Sequence, residues 1–278
     1  MNAIQAIILG IVQGATEFIP ISSSAHLVLV PWALGWNSPG LLFDTMLHWG
    51  TLTAVLVYFW RDWVAIIKGF FVSLVRRGPW STDPNGRLAD SSSQLAWAVI
   101  LGTLPAVVLG FLFNDFIESL FTSILAVGVF LLVTAAILFA AERMGRPQRP
   151  LEKITFTDAL LIGLAQAAAM APGISRSGAT LAGGLARGLT RDSAARFSFL
   201  LGTPTILGAG LLQLVDVLKA ETAAPAWSSV VPGAIAAAIV GYLCIHFLLS
   251  YLRRGKLYVF AAYCAVLGLV VILVSLIG

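Results

Sequence analysis

The sequence predicts an all-α polytopic membrane protein with an inverted-topology repeat, in which each half is a re-entrant helical hairpin plus three transmembrane helices. The composition indicates the membrane class, because 59% of the 278 residues are hydrophobic and only 11% are charged. Soluble domains carry roughly 25% charged residues, so this chain cannot cover a water-facing surface. The composition therefore excludes a soluble enzyme, a nucleic-acid-binding protein and a disulfide-stabilised secreted domain.

Transmembrane helices are predicted where about twenty apolar residues follow one another, since a helix rises about 1.5 Å per residue and the hydrocarbon core is about 30 Å thick. The runs form one membrane domain over residues 1–278, which divides into a first repeat, 1–141, and a second repeat, 154–278. Six spans are predicted: 41–60, 94–113 and 122–141 in the first repeat, and 193–215, 229–250 and 258–277 in the second.

Two further apolar regions, 3–35 and 154–190, are broken near their middle and do not fit as spans. Pro20 interrupts the first region and Pro172 the second, and each break continues into a serine-rich segment. The apolar half-helices on either side are too short to cross a bilayer. Because a broken backbone at membrane depth is tolerated only where protein buries it or water lines it, each region is predicted to form a re-entrant hairpin.

The charged connections predict the orientation in the membrane. Lys and Arg concentrate in 61–93, 142–153 and 253–256, and these connections alternate with 114–121 and 216–228, which are poor in Lys and Arg. Basic connections tend to stay in the cytoplasm. The first hairpin is therefore expected to enter from the extracytoplasmic face and the second from the cytoplasmic face, with the C-terminus outside.

The two broken regions also resemble each other in sequence. Each is followed by three spans, and an odd number of spans inverts the second copy. In transporters with this layout, the site lies where the broken helices meet near the midplane of the bilayer. Five residues recur 153 positions further on: Gly10, Gln13, Ile21, Ser22 and Ser24 match Gly163, Gln166, Ile174, Ser175 and Ser177.

An amide and an acid precede the first break. Gln13 and Glu17 are four residues apart, so on a helix both side chains lie on one face. A carboxylate at membrane depth is costly, and it persists where it faces a cavity, pairs with a base or binds a cation. Both side chains offer hard oxygen donors, which suit Mg²⁺ or Ca²⁺ rather than a soft metal.

Hydroxyls and an imidazole follow the first break. Ser22, Ser23 and Ser24 are typical helix N-cap residues, and with free backbone N–H groups they also form an anion site. His26 lies three residues after Ser23, on the same face of a helix that begins there. This spacing permits a serine nucleophile with a histidine base, or a histidine nucleophile with a serine that orients a phosphate.

The second break places Arg176 between hydroxyls and glycines, with apolar sequence on both sides. A guanidinium binds phosphate oxygens through two parallel hydrogen bonds, and Gly173 lets the backbone approach an anion closely. With Ser175 and Ser177 on either side, Arg176 is predicted to bind an anionic group.

Other polar residues allow structural readings. Asp44 and His48 are four residues apart, so the acid either orients and charges the imidazole or forms an ordinary helical pair. Asp158 is interpreted as a helix-end residue. Three arginines near the end of the second hairpin are interpreted as lipid-headgroup contacts or cytoplasmic anchors: Arg187, Arg191 and Arg196.

The segments Q-G-A-T-E-F, P-I-S-S-S-A-H and P-G-I-S-R-S-G-A-T resemble the two signature motifs of the bacterial undecaprenyl-pyrophosphate phosphatases, the bacitracin-resistance family. The likeness extends over essentially the whole chain and includes F-D-T-M-L-H-W-G-T and F-S-F-L-L-G-T-P. It implies an inverted repeat of hairpins and spans, an extracytoplasmic active site and a divalent-metal requirement. Gln13 stands where many relatives carry a first glutamate, and its amide contributes no charge to metal binding.

The resemblance also implies roles for individual residues. It assigns Ser23, His26 and Glu17 to catalysis, with Glu17 and, more weakly, Gln13 as metal ligands. The attacking group stays open between Ser23, His26 and water. The pyrophosphate is expected to contact the catalytic Arg176 and a wider set of substrate-binding residues: Ser22, Ser24, Gly173, Ser175, Ser177 and Thr180.

The implied activity is that of a multi-pass hydrolase of the bacterial cytoplasmic (inner) membrane. It would remove the terminal phosphate of undecaprenyl (polyprenyl) pyrophosphate and return the monophosphate carrier to peptidoglycan synthesis, which connects it with bacitracin resistance. The expected partners are the lipid substrate and membrane lipid, with no nucleic acid, and the oligomeric state stays open, a homodimer included. The alternative is a polyprenyl-phosphate flippase or ion-coupled transporter, because inverted repeats with broken helices are typical of carriers.

Overall fold

The structure is a computed structural model that describes residues 1–37, 40–75, 91–121, 123–145, 148–219 and 227–277. Four arginines that contribute to the predicted orientation lie outside these residues, namely Arg76, Arg77, Arg87 and Arg146. The described residues form eleven α-helices: α1 Ala3–Phe18, α2 Ser23–Ala33, α3 Leu41–Tyr58, α4 Trp60–Val75, α5 Ser91–Leu120, α6 Ile124–Met144, α7 Phe156–Ala168, α8 Arg176–Ala186, α9 Arg191–Lys219, α10 Trp227–Leu252 and α11 Tyr258–Ile277.

Among the described residues, five helices are long and apolar enough to cross a membrane: Ser91–Phe113, Ile124–Met144, Arg191–Gln213, Trp227–Leu252 and Tyr258–Ile277. They overlap five of the six predicted spans. The remaining prediction, 41–60, corresponds to α3, which is helical but is not among the five and carries Asp44 and His48. The chain is therefore an all-helical, multi-pass membrane protein, as the composition predicts.

The first predicted break separates α1 from α2. The helix α1 ends at Phe18, Ile19 is extended, and α2 begins at Ser23. The side chain of Ser22 accepts a hydrogen bond from the backbone N–H of Ala25 at 3.4 Å, so this hydroxyl caps α2. With 16 and 11 residues, the two helices are each shorter than a membrane span.

The second predicted break separates α7 from α8 in the same way. The side chain of Ser175 caps α8 by accepting a hydrogen bond from the backbone N–H of Gly178 at 3.1 Å. Gly173 turns the chain with φ +101°, and a Cβ there would lie 2.6 Å from the carbonyl oxygen of Val127. This position therefore requires glycine both for its backbone conformation and for its approach to α6.

The first helix of each hairpin packs against a long helix from the other half of the chain. A Cβ on Gly10 of α1 would lie 2.1 Å from the carbonyl oxygen of Gly233 on α10. A Cβ on Gly163 of α7 would lie 2.2 Å from the carbonyl oxygen of Gly102 on α5. Both crossings bring the helix backbones into contact, which only glycine permits at these distances.

A buried acid holds the two ends of the second hairpin together. Asp158 is wholly buried, and its carboxylate accepts hydrogen bonds from Arg149 at 2.8 Å and from Arg187 at 2.7 Å. Burial alone would raise the pKa of Asp158, but the hydrogen bonds from both arginines outweigh burial and lower the pKa to about 2. Asp158 lies at a helix start, as predicted. In addition, its ion pairs connect the start of α7 with Arg149 before the hairpin and with Arg187 at the end of α8.

The arginines near this hairpin, interpreted as lipid-headgroup contacts or cytoplasmic anchors, form ion pairs within the protein. Arg187 binds Asp158, and Arg191 binds Glu142 near the end of α6. Glu142 also accepts a hydrogen bond from the backbone N–H of Leu257 at 3.1 Å. Arg196, on the surface, lies 3.4 Å from Asp192 and 3.8 Å from Asp62.

Candidate active site

The two hairpin tips meet at an ion pair. One carboxylate oxygen of Glu17, near the end of α1, accepts a hydrogen bond from Nη2 of Arg176, at the start of α8, at 2.5 Å. Glu17 is only 5% exposed. An ionised carboxylate buried in this way needs a compensating charge, and the other hairpin supplies it. The residues predicted at the two breaks are thus brought together across 159 positions of sequence.

The other carboxylate oxygen of Glu17 binds a hydroxyl and an amide. Oγ of Ser23 donates to it at 2.6 Å, and Nε2 of Gln13 donates to it at 2.9 Å. The predicted shared face of Gln13 and Glu17 is confirmed by this contact. Glu17 therefore accepts hydrogen bonds from three side chains, two of them in its own hairpin and one in the second.

Glycine makes room for the guanidinium. Nη1 of Arg176 donates to the carbonyl oxygen of Gly202 on α9 at 3.0 Å. A Cβ at Gly202 would lie 2.2 Å from the same nitrogen. The side chain of Arg176 stays 21% exposed, so part of its hydrogen-bonding capacity remains open to a ligand. Sequence reasoning noted the segment around Gly202 without giving this residue a role.

A second imidazole borders the carboxylate. Nε2 of His48 lies 3.7 Å from the Ser23-bound oxygen of Glu17, and its side chain is 30% exposed. Nδ1 of His48 lies 2.7 Å from the backbone carbonyl oxygen of Asp44, which can only accept, so Nδ1 donates. The predicted pairing of Asp44 with His48 thus runs through the backbone rather than the acid. Sequence reasoning did not place His48 in the site.

His26 does not form the predicted pair with Ser23. Its Nδ1 lies 2.7 Å from the backbone carbonyl oxygen of Ser22, and its Nε2 lies 2.7 Å from the hydroxyl of Tyr263 on α11. The hydroxyl of Ser23 binds Glu17 instead. Both ring nitrogens of His26 are therefore engaged, one of them by a residue for which the sequence offers no local signal.

The remaining tip hydroxyls bind one another. The hydroxyls of Ser22 and Ser24 lie 3.2 Å apart, as do those of Ser175 and Ser177. Thr180 is buried, and its hydroxyl lies 2.6 Å from that of Ser198 on α9. Four of the residues predicted to bind substrate thus have buried side chains that serve caps and packing: Ser22, Ser175, Ser177 and Thr180.

Few side chains could hold a metal ion here. Within the described ranges, no group of three or more His, Cys, Asp or Glu side chains is arranged to bind one. The oxygens of Glu17 already accept hydrogen bonds, whereas Oε1 of Gln13 is buried and has no partner. Mg²⁺ is commonly held by one or two protein oxygens together with water and substrate phosphates. The donors at Gln13 and Glu17 fit an ion that shares its ligands with a phosphorylated substrate.

The arrangement combines a hydroxyl, a carboxylate and a guanidinium. The Ser23 hydroxyl donates to a buried carboxylate at 2.6 Å, which is the geometry of a nucleophile and its base. Arg176 provides the fork that recognises phosphate oxygens. Ser23 and Arg176 also begin α2 and α8, whose free backbone N–H groups favour an anion. Phosphoryl transfer is the chemistry that uses all of these groups.

Comparisons with known proteins agree with this chemistry. Residues 6–270 match the family described as bacitracin resistance protein BacA. The chain is 48% identical over 283 residues to an undecaprenyl-diphosphatase of Thermomicrobium roseum, with 99% of this chain and 98% of the relative covered. It is 45% identical over 276 residues to one of Desulforudis audaxviator, with 99% of each covered. The chain therefore belongs to the bacitracin resistance protein BacA family.

Proposed function

We propose that this protein is an undecaprenyl-diphosphatase, which removes the terminal phosphate of undecaprenyl diphosphate and leaves the lipid monophosphate. The observation that carries the proposal is Glu17, which binds Ser23 and Arg176 at the meeting point of the two hairpins. The likeness to curated diphosphatases extends over nearly the whole chain and supports the same activity. It does not favour the alternative of a flippase or transporter. The lipid product serves cell-wall biogenesis.

The diphosphate is bound by Arg176 and by the starts of α2 and α8. Arg176 is 21% exposed and offers phosphate oxygens the guanidinium N–H groups that do not bind Gly202 or Glu17. Ser23 and Ser24 at the start of α2 are half-buried and can reach a ligand, as expected for substrate contacts. The buried tip residues Ser22, Gly173, Ser175, Ser177 and Thr180 contribute by shaping the tips.

Ser23 is the proposed nucleophile. Its proton passes from Oγ to the carboxylate of Glu17 while Oγ forms a bond with the terminal phosphorus. The bond between this phosphorus and the bridging oxygen breaks, and the lipid monophosphate leaves with the bonding electrons. Water then attacks the phosphoserine: its oxygen bonds to phosphorus, the Ser23 oxygen leaves and regains the proton held by Glu17, and phosphate departs together with the proton lost by the water. The 2.6 Å contact between hydroxyl and carboxylate favours Ser23 over His26, whose ring nitrogens both have other partners.

Gln13 and Glu17 are the residues proposed to hold a divalent ion, Mg²⁺ or Ca²⁺, when the diphosphate is bound. Oε1 of Gln13 and the carboxylate of Glu17 would hold it together with phosphate oxygens and water. When bound, such an ion neutralises charge that develops on the transferring phosphoryl group. The protein's own contribution is to keep an unpaired amide oxygen beside the carboxylate.

The proposed topology is an inverted repeat in the bacterial inner membrane, with the site open to the extracytoplasmic side. The start of α1 lies at the start of α10, where the hydroxyl of Ser229 donates to the carbonyl oxygen of Met1 at 3.4 Å. The ends of the second hairpin lie instead with Arg149, in the basic connection after α6. Hairpins that enter from opposite faces account for both contacts.

Replacement of Arg176 by lysine tests the proposed function. Lysine keeps the charge but lacks the planar fork, so we expect Arg176→Lys to release phosphate from undecaprenyl diphosphate about 100-fold more slowly than the wild type. Purified protein in detergent and a phosphate assay suffice. Arg196→Lys is the matched control, since Arg196 lies away from Glu17, between Asp62, Asp192 and the ring of Phe59. Equal rates in the wild type and Arg176→Lys would contradict the assignment.

Replacement of Gly202 by alanine tests whether the space beside this glycine positions the guanidinium of Arg176. The new methyl group would meet the end of the Arg176 side chain, which can move, so the fold survives while the donor fork is displaced. We expect phosphate release to fall about tenfold, with the thermal unfolding midpoint in detergent nearly unchanged. Gly208→Ala on the same helix meets no atom within 4 Å and provides the control. A loss of activity of the same size in both variants would argue against this role.

Replacement of Gln13 by glutamate tests the proposed ion site. A second carboxylate should strengthen cation binding, so we expect Gln13→Glu to need about tenfold less Mg²⁺ for half-maximal phosphate release. Chelation by EDTA should stop release by the wild type, and added Mg²⁺ should restore it. Gln166→Glu is the control, because Gln166 also has a buried, unpartnered Oε1 but lies in the other hairpin. An unchanged Mg²⁺ requirement in Gln13→Glu would contradict the proposal.

A further inference from the structure

Tyr263 lies against His26 in an arrangement that packing alone does not explain. The phenol hydroxyl is 2.7 Å from Nε2 of His26, and the two rings are stacked with centroids 5.8 Å apart and planes 10° from parallel. Tyr263 is nevertheless 43% exposed, so its ring is not part of a closed core. The polar end of this side chain is aimed at one acceptor, the imidazole beside the proposed nucleophile.

The hydrogen bonds around His26 fix the direction of each donor. The carbonyl oxygen of Ser22 can only accept, so Nδ1 of His26 carries a hydrogen and donates to it. In the neutral imidazole, Nε2 then has a free electron pair, which accepts the hydroxyl hydrogen of Tyr263. The two partners together select a single tautomer and a single ring orientation.

The carbonyl held by His26 belongs to a strained turn. Ser22 has φ +72°, and among the described residues it is the one that combines a positive φ with a side chain. Such a conformation costs free energy and persists where neighbouring groups enforce it. The next residue is Ser23, whose hydroxyl lies 2.6 Å from Glu17. The orientation of the Ser22 peptide therefore bears directly on where the proposed nucleophile points.

The helix that carries Tyr263 is fixed to the same tip. Cys264, the next residue, is fully buried, and its Sγ lies 3.8 Å from the carbonyl oxygen of Pro20. Further along α11, Gly268 approaches α6 so closely that a Cβ would lie 2.8 Å from the carbonyl oxygen of Gly128. The phenol is thus presented by a helix that has little freedom to shift relative to the first hairpin.

We infer that Tyr263 is a positioning residue for the proposed reaction: its hydroxyl fixes the imidazole of His26, which fixes the Ser22 carbonyl and so the direction of the Ser23 hydroxyl. This inference rests on the proposed function. It gives His26 a task that matches its two observed partners, namely to hold the tip that presents the nucleophile. It also means that α11, which carries Tyr263, helps to position residues of the first hairpin.

Tyr263→Phe tests this role because it removes the hydroxyl and keeps the stacked ring. We expect kcat for phosphate release from undecaprenyl diphosphate to fall about tenfold, the size expected for one lost hydrogen bond, with KM nearly unchanged. Selective ¹⁵N labelling of the three histidines allows NMR to follow each imidazole. The Nε2 resonance of His26 should shift in Tyr263→Phe, since this nitrogen loses its donor.

Tyr258→Phe is the matched control, because Tyr258 lies on the same helix and packs against Phe139, with the ring planes at 52°, rather than against His26. It should change neither kcat nor the His26 resonance. Wild-type kcat in Tyr263→Phe would overturn the inference, and so would a lowered kcat with an unmoved His26 resonance. A wild-type protein that releases no phosphate would refute the proposed function itself, whereas the NMR comparison would still decide whether Tyr263 holds His26.

Discussion

The structure depends on one buried carboxylate. Glu17 lies in an apolar half-helix, where an unpaired charge would cost several kcal/mol. The first hairpin supplies only neutral donors to it, from Gln13 and Ser23, and the compensating charge comes from Arg176 in the second hairpin. The contact between the two tips therefore offsets the cost of burying the charge of Glu17. The same carboxylate binds a hydroxyl through one oxygen and a guanidinium through the other.

Close helix crossings bring the tips within reach of each other. Gly10 of α1 touches the backbone of α10, and Gly163 of α7 touches the backbone of α5, so each hairpin is held by a span from the other half. Because glycine has no side chain, the helices approach closely at these crossings and attract each other by van der Waals packing, with no polar side chain needed. Away from the site, Asp158 joins Arg149 and Arg187 at the open ends of the second hairpin. On α7, close packing at Gly163 and ion pairing at Asp158 therefore stabilise two different parts of the same helix.

Local patterns predicted much of this arrangement. Apolar run length predicted five long helices, and proline and serine predicted both breaks. A four-residue spacing sufficed to place Gln13 beside Glu17. The partner of His26 was not predictable in this way, because Tyr263 is 237 positions away and the three-residue spacing to Ser23 suggested another partner. The contact between Gly202 and the Arg176 guanidinium could not be predicted either, because a glycine in an apolar helix does not indicate which side chain packs against it.

The charged residues show why the rest could not be predicted. In a membrane protein, a surface arginine and one paired with a buried acid have the same sequence context, so the ion pairs of Arg187 and Arg191 could not be predicted. The role of Glu17 as the proton acceptor for Ser23 is tested by the rate at which purified Glu17→Gln releases phosphate from undecaprenyl diphosphate. The amide can still hydrogen-bond Ser23 and Arg176 but cannot take a proton. We expect a loss of at least about 100-fold with lipid diphosphate still bound, and phosphate release at the wild-type rate would rule out Glu17 as the proton acceptor.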